Sequence, residues 1–153
     1  MKSLLDWIKR LLSKPTPVDG TEASPQTSQQ IARAALERIG GRLQVDREGH
    51  VTAVRLSGTK VTDQELANLR HFHRLQMLRL RRTKVTDDGL AHLRDLRQLI
   101  SLDLDETWIS DAGLEHLKAI GSLELLDLSE TEATPEGVER LRKALPGCRI
   151  TYR

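Results

Sequence analysis

The chain has 153 residues, with 24 Lys and Arg, 22 Asp and Glu and a formal net charge of +2. This length fits one domain with short extensions. A charge so close to zero excludes the strong positive field by which very basic proteins attract nucleic acids or anionic membranes. The single cysteine, Cys148, excludes an internal disulfide and is typical of a reducing compartment.

The first predicted element is a basic amphipathic helix over residues 1–14. Apolar and charged side chains separate onto opposite faces at helical spacing, and the apolar face consists of Leu4, Leu5, Trp7, Ile8, Leu11 and Leu12. A helix of this length is marginal on its own in water, so we expect it to dock. The surface that it docks on is either protein, including the rest of this chain, or a membrane.

The same segment is unlike a secretory signal. Asp6, Lys9 and Arg10 interrupt its apolar run, and no small-residue cleavage site follows. No stretch of the sequence is long and apolar enough to predict a transmembrane helix. We therefore predict a cytoplasmic protein, with membrane association through residues 1–14 as the alternative.

A linker and a cap are predicted next. Residues 15–28 are rich in Pro, Ser and Thr and have no periodicity, which indicates a flexible linker. Residues 29–50 predict an N-terminal cap, which consists of a helix and a hairpin whose second strand opens at Val51. The helix is expected to face inward with Ile31, Ala35, Leu36 and Ile39.

A 24-residue repeat fills residues 51–146, with copies that start at Val51, Leu75, Leu99 and Leu123. Each copy opens with the period-2 leucines of a short strand, followed by a Thr column and then by a Thr or Ser at a helix N-cap. Seven apolar columns recur in the copies and predict a continuous core. Residues 147–153 predict a C-terminal strand that ends the stack.

The repeat pattern LxxLxLxxTxhTDxGLxxLxxhxx resembles the leucine-rich repeats of bacterial proteins. Its TDxGL helix start is similar to the cysteine-containing and ribonuclease-inhibitor-like subtypes, with Thr where those repeats carry Asn or Cys. The resemblance implies an α/β right-handed solenoid, a short horseshoe with about five parallel strands on the concave face and helices on the convex face. It also implies protein recognition as the commonest role. The first 50 residues show no F-box-like helical module.

The strand period identifies the side chains that point out of the concave face. They are basic in the first two copies and acidic in the last two, with two apolar points, and comprise Arg55, Met77, Arg79, Arg81, Arg82, Asp103, Asp105, Glu106, Leu125, Asp127 and Glu130. Adjacent strands place Arg79 beside Asp103 and Arg81 beside Asp105. The charges either pair with one another on a solvated sheet or form a bipolar surface for a partner.

Trp108 is the other candidate on this face. It stands in a column where the other copies have Lys60, Lys84 and Glu132, so we expect its indole to be exposed. Exposed tryptophans beside charged groups are typical of interaction hot spots. The alternative is that the ring folds over a neighbouring loop and stacks on Lys84.

We predict no catalytic residue, no cofactor and no metal site. The acidic cluster around Asp103 could suggest paired carboxylates or a hard-metal site, but an open sheet offers no pocket. The histidine pairs His92/His116 and His71/His73 are better explained as a polar helix column and a solvated loop. The predicted function is therefore a non-catalytic protein–protein interaction module, an adaptor or scaffold. The alternatives are a membrane-peripheral adaptor and, less favoured, nucleic-acid binding through the basic half of the concave face.

Overall fold

The structure is a computed structural model and describes residues 25–153. The predicted helix over residues 1–14 and the linker up to residue 24 lie outside the described residues. Within the described part, no helix is long and apolar enough to cross a membrane.

Strands and helices alternate along the chain after an initial helix and hairpin. The short helices over Asp63–Leu66 and Asp87–Leu90 continue as 3-10 turns over Ala67–His71 and Ala91–Leu93. The elements are α1 (Pro25–Arg38), β1 (Arg42–Val45), β2 (Val51–Arg55), α2 (Asp63–Leu66), β3 (Met77–Arg79), α3 (Asp87–Leu90), β4 (Ser101–Asp103), α4 (Asp111–Leu117), β5 (Leu125–Asp127), α5 (Pro135–Ala144) and β6 (Arg149–Thr151).

The six strands form one sheet in chain order. β1 runs antiparallel to β2, and β2 to β6 are parallel with a constant register, in which Val54, Leu78, Leu102, Leu126 and Ile150 are successive partners. Each partner lies 24 residues further along the chain, so one repeat adds one strand. The predicted α/β fold with five parallel strands is confirmed, and this stacking is consistent with a solenoid.

The core lies between the sheet and the helices. All seven apolar columns of the repeat are buried, from the strand leucines to Phe72, Leu96 and Ile120 in the return loops. A buried aliphatic side chain contributes about 1.5–3 kcal/mol before conformational entropy is subtracted. The repeat core therefore holds the sheet in one register, and that register positions the outward side chains.

The first helix differs from its prediction in two ways. It begins at Pro25, four residues before the predicted start at Gln29, and its buried residues are Ala32 and Leu36. Ile31, predicted to face inward, is 61% exposed. The inward stripe is set by the i, i+4 pair of Ala32 and Leu36, because the small Ala32 allows α1 to approach the 3-10 turn after α2.

The Thr column makes hydrogen bonds to the backbone. The hydroxyls of Thr59, Thr83, Thr107 and Thr131 donate to the carbonyl oxygens of the strand leucines three residues earlier, at 2.5–2.8 Å. Each hydroxyl therefore satisfies a backbone acceptor where the chain leaves the sheet.

A second set of hydrogen bonds joins one repeat to the next through the helix starts. The Asp63 carboxylate accepts from the amide of Thr86 at 2.8 Å and from its hydroxyl at 2.6 Å. Asp87 accepts the same pair from Ser110, and Asp111 the same pair from Thr134. The backbone hydrogen bond from Thr134 lowers the pKa of Asp111. We call these three links the Asp ladder.

The glycine column of the repeat exists because of the Asp ladder. A Cβ at Gly89, Gly113 or Gly137 would overlap Oδ1 of the aspartate that reaches over from the preceding repeat. The first copy has no such aspartate and carries Glu65 in this column. The Glu65 carboxylate accepts hydrogen bonds from the amide and the hydroxyl of Thr62. In the later copies, an aspartate of the preceding repeat accepts these two hydrogen bonds.

Candidate partner-binding face

The candidate site is the sheet face opposite the helices, here called the open face. Arg55, Arg79, Asp103 and Asp127 are successive partners in the register of β2 to β5. They alternate with the buried residues of the core columns, so all four side chains lie on the open face. The predicted neighbours Arg79 and Asp103 are therefore adjacent, as are the like-charged pairs Arg55/Arg79 and Asp103/Asp127.

The turns after β3 and β4 hold a second set of charges, which pair closely with one another. Arg81 Nε lies 2.9 Å from Asp105 Oδ2, and Arg81 Nη2 lies 2.8 Å from Glu106 Oε1. Arg82 Nε lies 2.7 Å from Glu106 Oε2. The two guanidinium groups lower the pKa of Glu106 to about 2. These four side chains compensate one another, as the ion-pair alternative predicts.

Two residues of this network, Arg82 and Glu106, have a left-handed backbone conformation. Arg82, Glu106 and Glu130 have φ values of 56°, 54° and 51°, and Gly58 occupies the same column of the first repeat with φ 68°. The left-handed region is unfavourable for residues with a Cβ, which is why glycine is common there. Three copies nevertheless carry charged side chains at this position.

The row of Arg55, Arg79, Asp103 and Asp127 is less well compensated. Among the described residues, none of these four side chains forms an ion pair within 4.0 Å. Burial raises the pKa of Asp103, and the nearby carboxylates of Asp127 and Asp105 add to that rise. Adjacent like charges on a sheet are mildly destabilising. The row therefore has an excess of positive charge at Arg55 and Arg79 and an excess of negative charge at Asp103 and Asp127.

A shallow cleft of about 220 Å³ lies on the acidic half of this row. Asp103 and Asp127 line it together with Arg79 and Arg149, and Leu125 contributes an apolar wall. Leu125 is 48% exposed, as predicted, whereas Met77 is half-buried. The cleft therefore combines two carboxylates with an apolar contact.

Trp108 is 63% exposed, as predicted from its column. Its neighbours Thr107 and Ile109 are both buried, and its backbone pairs with that of Thr86 in the preceding repeat. The backbone is thus fixed while the indole remains accessible to solvent. An aromatic side chain of this kind provides a large contact area at low entropic cost.

Sequence analysis missed one cluster outside the open face. Asp46, Glu48 and His50 come together in the turn between β1 and β2, where each offers a potential metal ligand. The signal was present as alternate residues of a predicted turn, but it was assigned only to a reversal of the chain. Of the histidines that the sequence did single out, His92 and His116 lie on helical segments, whereas His73 lines a cleft together with His50.

The fold is similar to that of solved leucine-rich-repeat proteins. Internalin C2 from Listeria monocytogenes matches 65% of this chain and 40% of its own, with 22% identity and a TM-score of 0.55. A leucine-rich-repeat protein from Leptospira interrogans matches 65% of this chain and 25% of its own, with 23% identity and a TM-score of 0.51.

A third structure covers more of both chains. Actin-binding site 2 of leiomodin-1 matches 87% of this chain and 81% of its own, with 15% identity and a TM-score of 0.56. No protein-family model and no curated protein matches the chain. At these identities the similarities show the fold alone, and this chain spans less than half the length of the two bacterial structures.

Proposed function

We propose that the protein is a non-catalytic protein-interaction module, an adaptor or scaffold that binds a partner on its open face. The observation that carries the proposal is the row of Arg55, Arg79, Asp103 and Asp127, which form no ion pair within 4.0 Å among the described residues. The neighbouring row of Arg81, Arg82, Asp105 and Glu106 is paired. A partner with the opposite order of charges would compensate both ends of the row.

Exposed apolar side chains supply the second requirement of an interface. Leu125 stands within the acidic half of the open face, Trp108 follows the turn after β4, and both side chains are exposed. Specific interfaces are commonly dominated by a few aromatic or apolar anchors inside a polar rim. We propose Trp108 and Leu125 as these anchors, with Met77 as a smaller contact.

The comparison with leiomodin-1 supports a binding role for a unit of this size. That structure is named as an actin-binding site, so a protein of this fold and nearly this length serves as a binding element there. The leucine-rich-repeat neighbours are commonly protein-interaction modules as well. Their partners are not transferred to this chain.

Affinity capture from a native extract tests the proposal. Wild type, Trp108→Ala and Arg79→Glu are immobilised at equal density, and bound proteins are compared by quantitative mass spectrometry. We expect at least one partner to be retained by wild type and reduced about tenfold or more by each substitution.

The matched control is Arg97→Glu, the same charge reversal at an exposed position in a loop on another part of the molecule. It should leave capture unchanged. Melting temperatures of all variants establish that each is folded. Equal retention of every partner by wild type, Trp108→Ala and Arg79→Glu would place the interface elsewhere.

The amphipathic segment over residues 1–14 is proposed as a second docking element. A membrane-peripheral adaptor is the alternative function, favoured by the basic residues and Trp7 of this segment. Co-sedimentation with vesicles that contain anionic lipid tests it. Deletion of residues 1–14 should abolish binding, and co-sedimentation unaffected by the deletion would contradict the alternative. Cytoplasmic localisation remains a prediction for fractionation to test.

A further inference from the structure

The turn between β1 and β2 is fixed by its first residue. Asp46 Oδ1 accepts hydrogen bonds from the amides of Glu48 and His50, both at 2.9 Å. The backbone of Asp46 also bonds with that of Gly49 and His50. The two amide hydrogen bonds occupy Oδ1 of Asp46, and its Oδ2 lies near His50 and Arg74.

Three potential metal-ligand atoms, one from each of Asp46, Glu48 and His50, lie close together beside this turn. His50 Nδ1 lies 3.4 Å from Asp46 Oδ2 and 3.5 Å from Glu48 Oε2. The Nδ1 atom is buried from solvent and, within the described part of the chain, makes no hydrogen bond. This nitrogen lies at ion-pair distance from two carboxylate oxygens but forms no hydrogen bond with them, although its side chain is 35% exposed overall. Its surroundings are therefore negatively charged.

These separations match those between the ligands of a small tetrahedral metal ion. Zn²⁺ binds His nitrogen and carboxylate oxygen at about 2.0–2.2 Å, which sets neighbouring tetrahedral ligands about 3.3–3.6 Å apart. One nitrogen and two oxygens would fill three positions and leave the fourth for water or another donor. An imidazole in the set favours borderline transition metals over Mg²⁺ or Ca²⁺.

Arg74 is the cation that holds the two carboxylates in this structure. Its Nη1 atom lies 2.7 Å from Glu48 Oε2 and 3.5 Å from Asp46 Oδ2. The Arg74 side chain is 47% exposed, so it can swing into solvent without opening the core. Within the described part of the chain, neither Arg74 nor any other residue forms a hydrogen bond with His50 Nδ1.

Access to the cluster is open from one side. A cleft of about 170 Å³ borders it and is lined by Gln29, His50, Val51, Phe72, His73 and Arg74. The cleft adjoins the cap helix α1, so an ion held at the turn would sit where the N-terminal cap meets the first repeat. Its binding would link the turn of the hairpin to that region.

We propose that Asp46, Glu48 and His50 form a binding site for a divalent transition-metal ion of the Zn²⁺ class, with Arg74 as a competing counter-cation. The site is separate from the open face and does not depend on the function proposed for it. Metal binding removes the charge repulsion between the carboxylates and gives His50 Nδ1 a partner. It therefore stabilises the folded state by an amount that increases with the logarithm of the free metal concentration once that concentration exceeds Kd.

Isothermal titration of the full-length chain with Zn²⁺, after removal of metals with a chelator, tests the site. We expect one equivalent to bind and to raise the melting temperature. His50→Ala and Glu48→Gln should each weaken binding about tenfold or more, since each removes a ligand. Arg74→Gln should tighten binding, because it removes the competing charge. Mg²⁺ at the same concentrations should give no heat.

His92→Ala is the matched control, an exposed histidine on the helical side of the molecule that should leave Zn²⁺ binding unchanged. Glu48 is largely exposed, so Glu48→Gln tests the site even if His50→Ala fails to fold. The proposal is overturned if wild type takes up no Zn²⁺. It is also overturned if Glu48→Gln and folded His50→Ala bind Zn²⁺ as tightly as wild type.

Discussion

The Asp63 carboxylate holds both the amide and the hydroxyl of Thr86, the residue that starts the next helix of the stack, at 2.8 and 2.6 Å. The same link recurs from Asp87 to Ser110 and from Asp111 to Thr134. Each aspartate therefore lies in the first turn of its own helix and also accepts hydrogen bonds from the N-cap residue of the next helix. A negative charge is favourable at both places, because each is the positive end of a helix dipole.

The Asp ladder should contribute measurably to stability. Asp87→Ala removes two hydrogen bonds to a charged acceptor at a half-buried position, so we expect a loss of about 1–2 kcal/mol in the free energy of unfolding. Urea denaturation followed by circular dichroism measures this loss. Asp88→Ala, one residue away and exposed, is the control and should change the free energy of unfolding by less than about 0.5 kcal/mol.

The glycine column makes a stricter test of the same relationship. Gly113→Ala places a methyl group against Oδ1 of Asp87 and beside Ile109, so we expect a loss of about 2–4 kcal/mol in the wild-type background. In an Asp87→Ala background most of that loss should disappear, because the main obstacle is gone. A double-mutant cycle measured by urea denaturation gives the coupling. Additive losses would show that the aspartate does not determine the glycine.

The left-handed turn predicts a stabilising substitution. Glu130 is exposed and has φ 51°, a conformation that glycine adopts without steric cost. Glu130→Gly should therefore raise the free energy of unfolding by about 0.5–1 kcal/mol. Glu132→Gly, two residues on and outside this conformation, should lower it instead. The two variants are compared by thermal and urea denaturation, and a loss of stability in Glu130→Gly would contradict the steric argument.

The ion-pair network of the open face predicts a dependence of stability on pH. The pKa of Glu106 is lowered from an ordinary 4.5 to about 2. A depressed carboxyl pKa stabilises the folded state above the unfolded value, so the contribution is complete above pH 4.5 and is lost as pH falls towards 2. The difference in unfolding free energy between wild type and Glu106→Gln should shrink over that range. Glu124→Gln, at an exposed position without an ion pair among the described residues, should show no such trend.

Asp103 predicts the opposite sign. Its pKa is raised, chiefly by burial, so its ionisation opposes folding: stability is greatest below the ordinary pKa of 3.8 and falls as pH rises through the folded value. Asp103→Asn should therefore melt at a higher temperature than wild type at pH 7, and the two should converge at pH 3. The exposed Asp95→Asn serves as its control. If Asp103 contacts a partner, the more stable variant should also bind that partner less well, which capture at pH 7 would show.

The repeat made most of the fold predictable from the sequence, because each leucine column has one place in the core. The register that sets Arg79 beside Asp103 followed from the same period. The Asp ladder was not predicted, since a carboxylate 23 residues from its hydroxyl partner becomes a neighbour only after stacking. The prediction that Ile31 faces inward was wrong. The apolar spacing of the short helix α1 is compatible with two rotations about the helix axis, and in the structure Ala32 is the residue that is buried against the 3-10 turn.

The open face was predictable in composition but not in pairing. The sequence separates basic from acidic copies, yet it does not show that Arg81 and Arg82 are paired while Arg79 and Asp127 form no ion pair within the described residues. Gly58 did carry a signal that went unused. A glycine in the first copy, at the column of Arg82, Glu106 and Glu130, indicates the left-handed turn that all four share.

The Asp ladder also restricts how this protein could lengthen in evolution. An internal repeat carries the aspartate that bonds to the next repeat and the glycine that leaves space for the aspartate of the preceding one. A duplicated copy inserted among the repeats would therefore form the link on both sides. Glu65 fills the receiving position of the first copy, and Pro135 replaces the donor aspartate of the last. Units stacked beyond either of these two would lack the link, so the side chains themselves favour lengthening by insertion inside the array.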